Sequence, residues 1–247
     1  MAGSGMSDVS TGGAPLLGED LEQAARASAR RVGRQMVAAL IQRGYFFADA
    51  DAVLPLALMS RAYAEMTAAH DTIPEDVKAA HVGLESSRLY FSPQGSEDEY
   101  EPGTKATATH WSFSRTGQQG VLTPSAEPRV SGLDAFADEL YGAQDRLADA
   151  VMAGIAAGLG LDLEEFSRHL RGGDLGTIRF IRYPPSAAKP DPDARGISAH
   201  TDFEFFTLMH QDRAGLQFML PVRATSAVAN WTAGQRFESG PACCSAW

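Results

Sequence analysis

The sequence predicts an α+β protein whose helices come first and whose strands follow. Three observations carry that reading. Apolar residues recur at helical spacing in several stretches before residue 170. After Gly172-Gly173 the period switches, and β-branched and aromatic residues fill Thr177 to Tyr183. A proline-rich link from Pro184 to Gly196 then leads into further short apolar runs.

The elements follow in order. Between Leu21 and Arg43, the residues Val32, Met36, Val37, Leu40 and Ile41 fall on one helical stripe, and Gly44 suits the helix end. Tyr45-Phe46-Phe47 reads as a short buried strand. A second helix starts near Pro55, with Leu56, Met59, Tyr63 and Met66 on one face. Pro74-Glu75-Asp76 opens a short third helical segment, its acids placed where a helix N-terminus favours them. From Val82 to Ser131, Gly, Ser, Pro, Glu and Thr dominate, with Tyr90, Phe91, Tyr100, Trp111 and Phe113 scattered among them. A structureless loop of that length is unusual in a compact domain. The stretch reads as short strands and turns, part of a substrate mouth or an irregular surface excursion. A long helix over residues 133–157 buries Phe136, Leu140, Leu147, Val151 and Ile155. Asp162 can cap a short helix carrying Leu163, Phe166 and Leu170. Residues 177–183, 197–202, 203–210 and 216–220 read as strands.

Bulk properties limit the function. The chain has 247 residues, 44% hydrophobic and 21% charged, ordinary for a soluble globular protein of one large or two small domains. A net charge of −10 argues against nucleic acid or an anionic membrane as partner. The two cysteines, Cys243 and Cys244, are adjacent and make no disulfide framework or zinc spacing. That usage fits a reducing, cytoplasmic setting. No apolar run approaches the roughly 20 residues of a membrane span. Residues 1–18 lack the basic-then-apolar order of a signal peptide and read as a disordered start.

His200-Thr201-Asp202 is the most telling triplet. On a strand, positions i and i+2 face the same side, so an imidazole and a carboxylate can reach one metal ion together. They form two-thirds of the 2-His-1-carboxylate set that holds non-haem Fe(II). The bland alternative is a strand-turn pair making ordinary hydrogen bonds. No histidine follows His210.

Arg179-Phe180-Ile181-Arg182-Tyr183-Pro184-Pro185, His200-Thr201-Asp202, Thr207-Leu208, Gln211-Asp212 and Gly215-Leu216-Gln217 occur in that order. With Gly44-Tyr45-Phe46-Phe47 and Ile73-Pro74-Glu75-Asp76-Val77-Lys78 upstream, the pattern resembles the isopenicillin N synthase-like Fe(II)/2-oxoglutarate-dependent dioxygenases. It covers roughly residues 30–220. The resemblance implies a double-stranded β-helix, or jelly roll, with flanking N-terminal helices and incomplete C-terminal strands. It implies a disordered start at 1–18, an N-terminal helical region at 19–131, the jelly-roll portion at 132–220 and a degenerate remnant at 221–247. His200 and Asp202 become iron ligands, and Tyr183 touches the cosubstrate or substrate carboxylate. Fe(II), 2-oxoglutarate and O2 would oxidise a small molecule by hydroxylation, desaturation or cyclisation. The packed-tyrosine reading of Tyr183 stands beside that role.

The pattern breaks after Leu220. Family members continue to a Trp-Thr-Asn-Gly segment and a Ser-x-x-His-Arg motif whose histidine is the third ligand, and an arginine some ten residues later binds 2-oxoglutarate. Here Trp231-Thr232-Ala233-Gly234 resembles that approach, but Ala242-Cys243-Cys244 stands where His-Arg would follow. The alternative function is therefore a catalytically inactive remnant of the family. His210 matches no ligand position and reads as structural. His110 reads as part of an ordinary aromatic cluster, and Arg179 and Arg182 as solvated or ion-paired. Met36, Met59 and Met66 read as core filling.

Overall fold

The computed structural model describes residues 18–83, 86–96, 103, 105–117, 120–168, 176–184, 193–198, 200, 202, 204–213, 215–221, 231–236 and 243–246. Residues 1–17 of the start expected to be disordered (1–18), residues 169–175 where the short helix is expected to end, most of the proline-rich link and Tyr100 lie outside them, whereas Gly18 is helical.

Helix α1 spans Gly18–Arg43 and ends on Gly44, which adopts φ 79° and donates its N–H to the Leu40 carbonyl at 2.8 Å. That left-handed conformation is the one glycine takes without steric cost. The expected stripe needs correction. Val32 (43% exposed) and Ile41 (78%) point outward, while buried Gly33 and half-buried Met36, Val37 and Leu40 face inward. Positions 33, 36, 37 and 40 repeat the i, i+3, i+4, i+7 spacing of one helical face. Gly33 sets the phase because it lets another helix approach closely. A Cβ there would overlap the Gly154 carbonyl oxygen and the Gly158 backbone.

Strand β1 (Tyr45–Phe47) buries Tyr45, but Phe47 is 51% exposed, so only its start is interior. Helix α2 (Leu56–Thr72) follows Pro55 as expected. It buries Met59, Ala62, Ala69 and His70, while Leu56 at its first turn faces out. Helix α3 (Glu75–Ala80) carries Glu75 and Asp76 in its first turn. Buried Lys78 donates to the His70 carbonyl and to Glu75 Oε1, each at 2.7 Å, tying α3 to the end of α2.

The 82–131 stretch forms short strands: β2 (Leu89–Ser92), β3 (Lys105–Ala106), β4 (Thr109–Phe113), β5 (Thr116–Gly117) and β6 (Gly120–Val121). Helix α4 (Pro128–Leu159) begins five residues earlier than expected, with Pro128 in its first turn and the Glu127 carboxylate accepting from Arg129 N–H at 3.3 Å. A proline at that position loses no helical hydrogen bond. The five residues expected on its buried side, Phe136, Leu140, Leu147, Val151 and Ile155, are all interior. Its end is closed by Gly160 at φ 72°. Helix α5 (Leu163–Arg168) is capped as expected by Asp162, whose Oδ1 accepts from Glu165 N–H at 2.9 Å.

Strand β7 (Ile178–Arg182) completes an antiparallel sheet of order β2-β4-β7. The central position of β4 explains why Trp111 and Phe113 are fully buried. Helix α4 packs on α1 and α2 and reaches β4, so one apolar core joins helices and sheet. Strand β8 (Ala194–Arg195) pairs in parallel with β3. Strands β9 (Phe206–Met209), β10 (Gln217–Pro221), β11 (Trp231–Arg236) and β12 (Cys243–Ala246) follow. The β10-β11 pair is antiparallel, and β12 lies between β1 and β9 in a second three-stranded sheet. Within segment 221–247, the described residues include β11 and β12. Helices and antiparallel sheets match the α+β expectation.

Candidate metal centre

The site is built where the chain leaves β8 and enters β9. The described residues of the strand expected over 197–202 are not in a strand. Ser198, His200 and Asp202 lie outside every strand, and β9 begins only at Phe206. The two side chains nevertheless converge. His200 Nε2 stands 3.1 Å from Asp202 Oδ1, and both are about one quarter exposed.

Local hydrogen bonds, rather than strand alternation, produce that convergence. His200 Nδ1 lies 2.8 Å from the carbonyl of buried Ser198. A carbonyl only accepts, so Nδ1 carries a proton in that contact and Nε2 is the ring nitrogen turned toward Asp202. Thr207 Oγ1 on β9 donates to Asp202 Oδ2 in a short bond, leaving Oδ1 turned toward His200. Metal–ligand bonds of about 2.1 Å set at right angles place neighbouring ligand atoms about 3.0 Å apart. The 3.1 Å separation fits that spacing and equally a direct contact between the two groups; His200 and Asp202 would be the side chains to hold a divalent cation here. Among the described residues, no third His, Cys, Asp or Glu joins them.

Tyr183 follows β7 and is 53% exposed. Its ring rests on the backbone of Gly196: a Cβ there would stand 2.8 Å from Cδ1 and Cε1. Tyr183 therefore borders the segment that leads into His200. His210, just past β9, has Nδ1 2.5 Å from the Tyr63 hydroxyl of α2. Burial lowers the His210 pKa, partly countered by Asp212, and raises the Tyr63 pKa well above its ordinary value. A neutral imidazole accepting from a neutral phenol is a structural link, as expected.

His110 is not a loop residue. It lies on central β4, where burial, then the positive charge of Arg179, push its pKa down to about 4. His70 is likewise lowered by burial, while its Nε2 donates to the Phe180 carbonyl at 3.2 Å. Arg182 is ion-paired with Asp71, as its default reading holds. Sequence reasoning missed the Ser198 and Thr207 supports. Thr207 could have been found from its place on the first strand after the His-x-Asp triplet.

No protein-family model matches the chain. Among curated proteins, it is 38% identical over 99 residues to the 2-oxoglutarate-Fe(II) type oxidoreductase hxnY of Emericella nidulans. It is 33% identical over 118 residues to isopenicillin N synthase of Penicillium rubens. The matches cover 39% and 44% of this chain, and they span only 28% and 36% of those relatives' own length. The fold is shared with a full-length Neurospora crassa protein solved in complex with alpha-KG (TM-score 0.65, 18% identity), covering 91% of this chain and 68% of that one. A Caulobacter crescentus protein described as a 2OG-Fe(II) oxygenase family member gives TM-score 0.64 at 18% identity, covering 91% and 71%. At these identities the structural likeness is one of fold. The relatives' names carry the oxidoreductase class, with iron and 2-oxoglutarate, that the His-x-Asp pattern led us to expect.

Proposed function

We infer, from kinship with the isopenicillin N synthase-like 2-oxoglutarate-Fe(II) oxidoreductases, that this chain oxidises a small molecule by using Fe(II), 2-oxoglutarate and O2. Hydroxylation, desaturation and cyclisation are the reaction types the kinship offers. The jelly roll is the architecture proposed for the strands, supported by the shared fold with 2OG-Fe(II) oxygenases.

One observation carries the assignment: the 3.1 Å approach of His200 Nε2 to Asp202 Oδ1. His200 and Asp202 would be the residues that hold a ferrous ion, through an imidazole and a carboxylate. Iron and 2-oxoglutarate supply the oxidising chemistry when bound, and the chain supplies geometry and access. His200 would offer Nε2, since its Nδ1–H donates to the Ser198 carbonyl. Asp202 offers Oδ1. Tyr183, just past the end of β7, is proposed to donate its hydroxyl to a carboxylate of the cosubstrate or substrate.

A second reading, a relative that does not turn over, is favoured by the lack of a third His, Cys, Asp or Glu beside the pair among the described residues. One experiment separates the two. Anaerobic titration with Fe(II) and 2-oxoglutarate gives a visible charge-transfer band in a competent centre, and aerobic incubation then releases succinate. His200→Ala abolishes both signals. A band that survives His200→Ala removes the assigned site, and a wild-type chain with no band and no succinate favours the silent relative.

A further inference from the structure

We propose that Tyr90, Ser112 and Arg179 form a row of donors across the β2-β4-β7 sheet that binds the carboxylate of the small molecule on which the chain acts. The substrate is then a carboxylic acid. The proposal rests on the oxidoreductase reading for calling that acid a substrate; the row itself needs no metal.

Antiparallel register sets the three residues side by side. Tyr90 of β2 is opposite Ser112 of β4, and Ser112 is opposite Arg179 of β7. Directly opposite residues share a face, and neighbouring strands lie about 4.8 Å apart, so the row crosses about 10 Å of sheet. The other face carries Phe91, Trp111 and Phe180 into the core. Next to the row, on its own face, lie His110 and Ile181. Ser112 at the centre is 0% exposed, Tyr90 is half-buried and Arg179 is exposed, so the row opens toward its Arg179 end. Tyr183 follows Ile181 by two positions and rests on Gly196, so this face continues toward the segment that leads into His200.

The donors of the row lack acceptors. Ser112 Oγ is buried without a hydrogen-bond partner. Among the described residues, nothing accepts from the Tyr90 hydroxyl and no carboxylate pairs with Arg179. Arg182 shows the contrast: it lies on the opposite face and is paired with Asp71. A buried hydroxyl left unpartnered works against folding, and in a native protein it calls for a water or a ligand. His110 is neutral at pH 7, because burial and then Arg179 push its pKa down to about 4. The row therefore combines one cation with neutral hydroxyl donors. A carboxylate is its complement: it carries one charge, only accepts, and takes two parallel N–H bonds from a guanidinium while a hydroxyl reaches it too. The second charge of a phosphate would find no second cation in the row.

The test uses the full chain, freed of metal on a chelating resin so that no metal ion contributes to carboxylate binding. Calorimetry compares hexanoate with uncharged hexanamide, and hexanoate is expected to bind about tenfold more tightly or better. Arg179→Gln is expected to abolish that preference, a loss of the size that follows removal of a charged hydrogen bond. Ser112→Ala is expected to weaken hexanoate about threefold or more. The same variant carries a readout that a merely structural serine would not give: its melting temperature should stay level or rise, because the deleted hydroxyl has no partner in the protein. The idea is overturned if wild type binds hexanoate no better than hexanamide, or if Arg179→Gln binds hexanoate as wild type does. It is also overturned if Ser112→Ala lowers the melting temperature and leaves hexanoate binding unchanged. Inorganic phosphate that displaces hexanoate at equal concentration would overturn the carboxylate assignment. Tighter binding of 2-oxoglutarate than of hexanoate, with the same dependence on Arg179, would give the row to the cosubstrate and overturn the substrate assignment. The oxidoreductase reading fails separately, through a missing charge-transfer band, whereas hexanoate binding reports on the row alone.

Discussion

Asp134 is the buried half of an ion pair on α4, and its partner Arg88 reaches it from the residue before β2. The Asp134 side chain is 4% exposed and that of Arg88 17%. Arg88 also lies 3.4 Å from Asp138, which accepts from Arg115 at 2.7 Å. Two cations and two carboxylates thus share one network, and Arg88 and Arg115 lie over the rings of Phe113 and Tyr141. Removing one member of a buried pair leaves its partner's charge without compensation in a poor dielectric. Asp134→Ala should cost about 3 to 5 kcal/mol of unfolding free energy, measured by urea denaturation at neutral pH. Asp134→Asn, which keeps an acceptor, should cost less. Equal losses for the two would mean that charge is not what the network supplies. None of this pairing was legible in the sequence, since Arg88 and Asp134 are 46 positions apart and each looks like an ordinary surface residue. The ligand pair was legible for the opposite reason: its chemistry sits within three consecutive residues.

At the scale of elements, the contact of α1 with α4 is set by three glycines. A Cβ on Gly33 or Gly158 would meet backbone of the facing helix, whereas one on Gly154 would meet the Met36 side chain, with Sδ at 2.6 Å. Backbone cannot yield without moving a helix, but a thioether can swing aside. Gly158→Ala and Gly33→Ala should therefore destabilise by about 1 to 3 kcal/mol through overpacking. Gly154→Ala should cost less, and thermal melts followed by far-UV circular dichroism would rank them. The same contact shows where hydropathy fails. The 3.6-residue period located α4 and its buried face because that face is made of large apolar side chains. On α1 the residue that fixes the inward direction is a glycine, which has no side chain to register, so Val32 and Ile41 were drawn into the stripe. The strand expected at 197–202 differs in another way, because its described residues are not in a strand. Alternation gave the correct outcome, convergent side chains, through hydrogen bonds to Ser198 and Thr207 that no period encodes.

For the molecule as a whole, buried histidines set the acid limit. His110 lies on β4 with Arg179 nearby, and His70 on α2 is surrounded by Arg182, Lys78 and Asp71. Both are held below the ordinary histidine pKa by burial, so the folded state prefers them neutral. A depressed folded value means that stability is complete above the unfolded pKa, near 6.5, and declines as pH falls below it. For His110 the decline continues to about pH 4, where the folded protein also takes the proton. Over that window His110 alone should remove about 3 kcal/mol, at about 1.4 kcal/mol per pH unit. Urea midpoints should be level from pH 8 to 7 and fall steadily toward pH 4.5. His110→Gln should flatten that slope, and an unchanged slope would assign the acid limit to other groups.

The sheet that carries Thr207 has β12 at its centre, with Tyr45 opposite Ser245 on one side and Thr207 opposite the same residue on the other. Two stretches separated by most of the chain can meet there only after everything between them has been made and gathered, which is slow in entropic terms. During synthesis, β9 would therefore lack its partner β12 until residues 243–246 leave the ribosome. The hydroxyl that donates to Asp202 would therefore be fixed in place only once β12 has joined the sheet, so that contact follows the gathering of the sheet rather than guiding it.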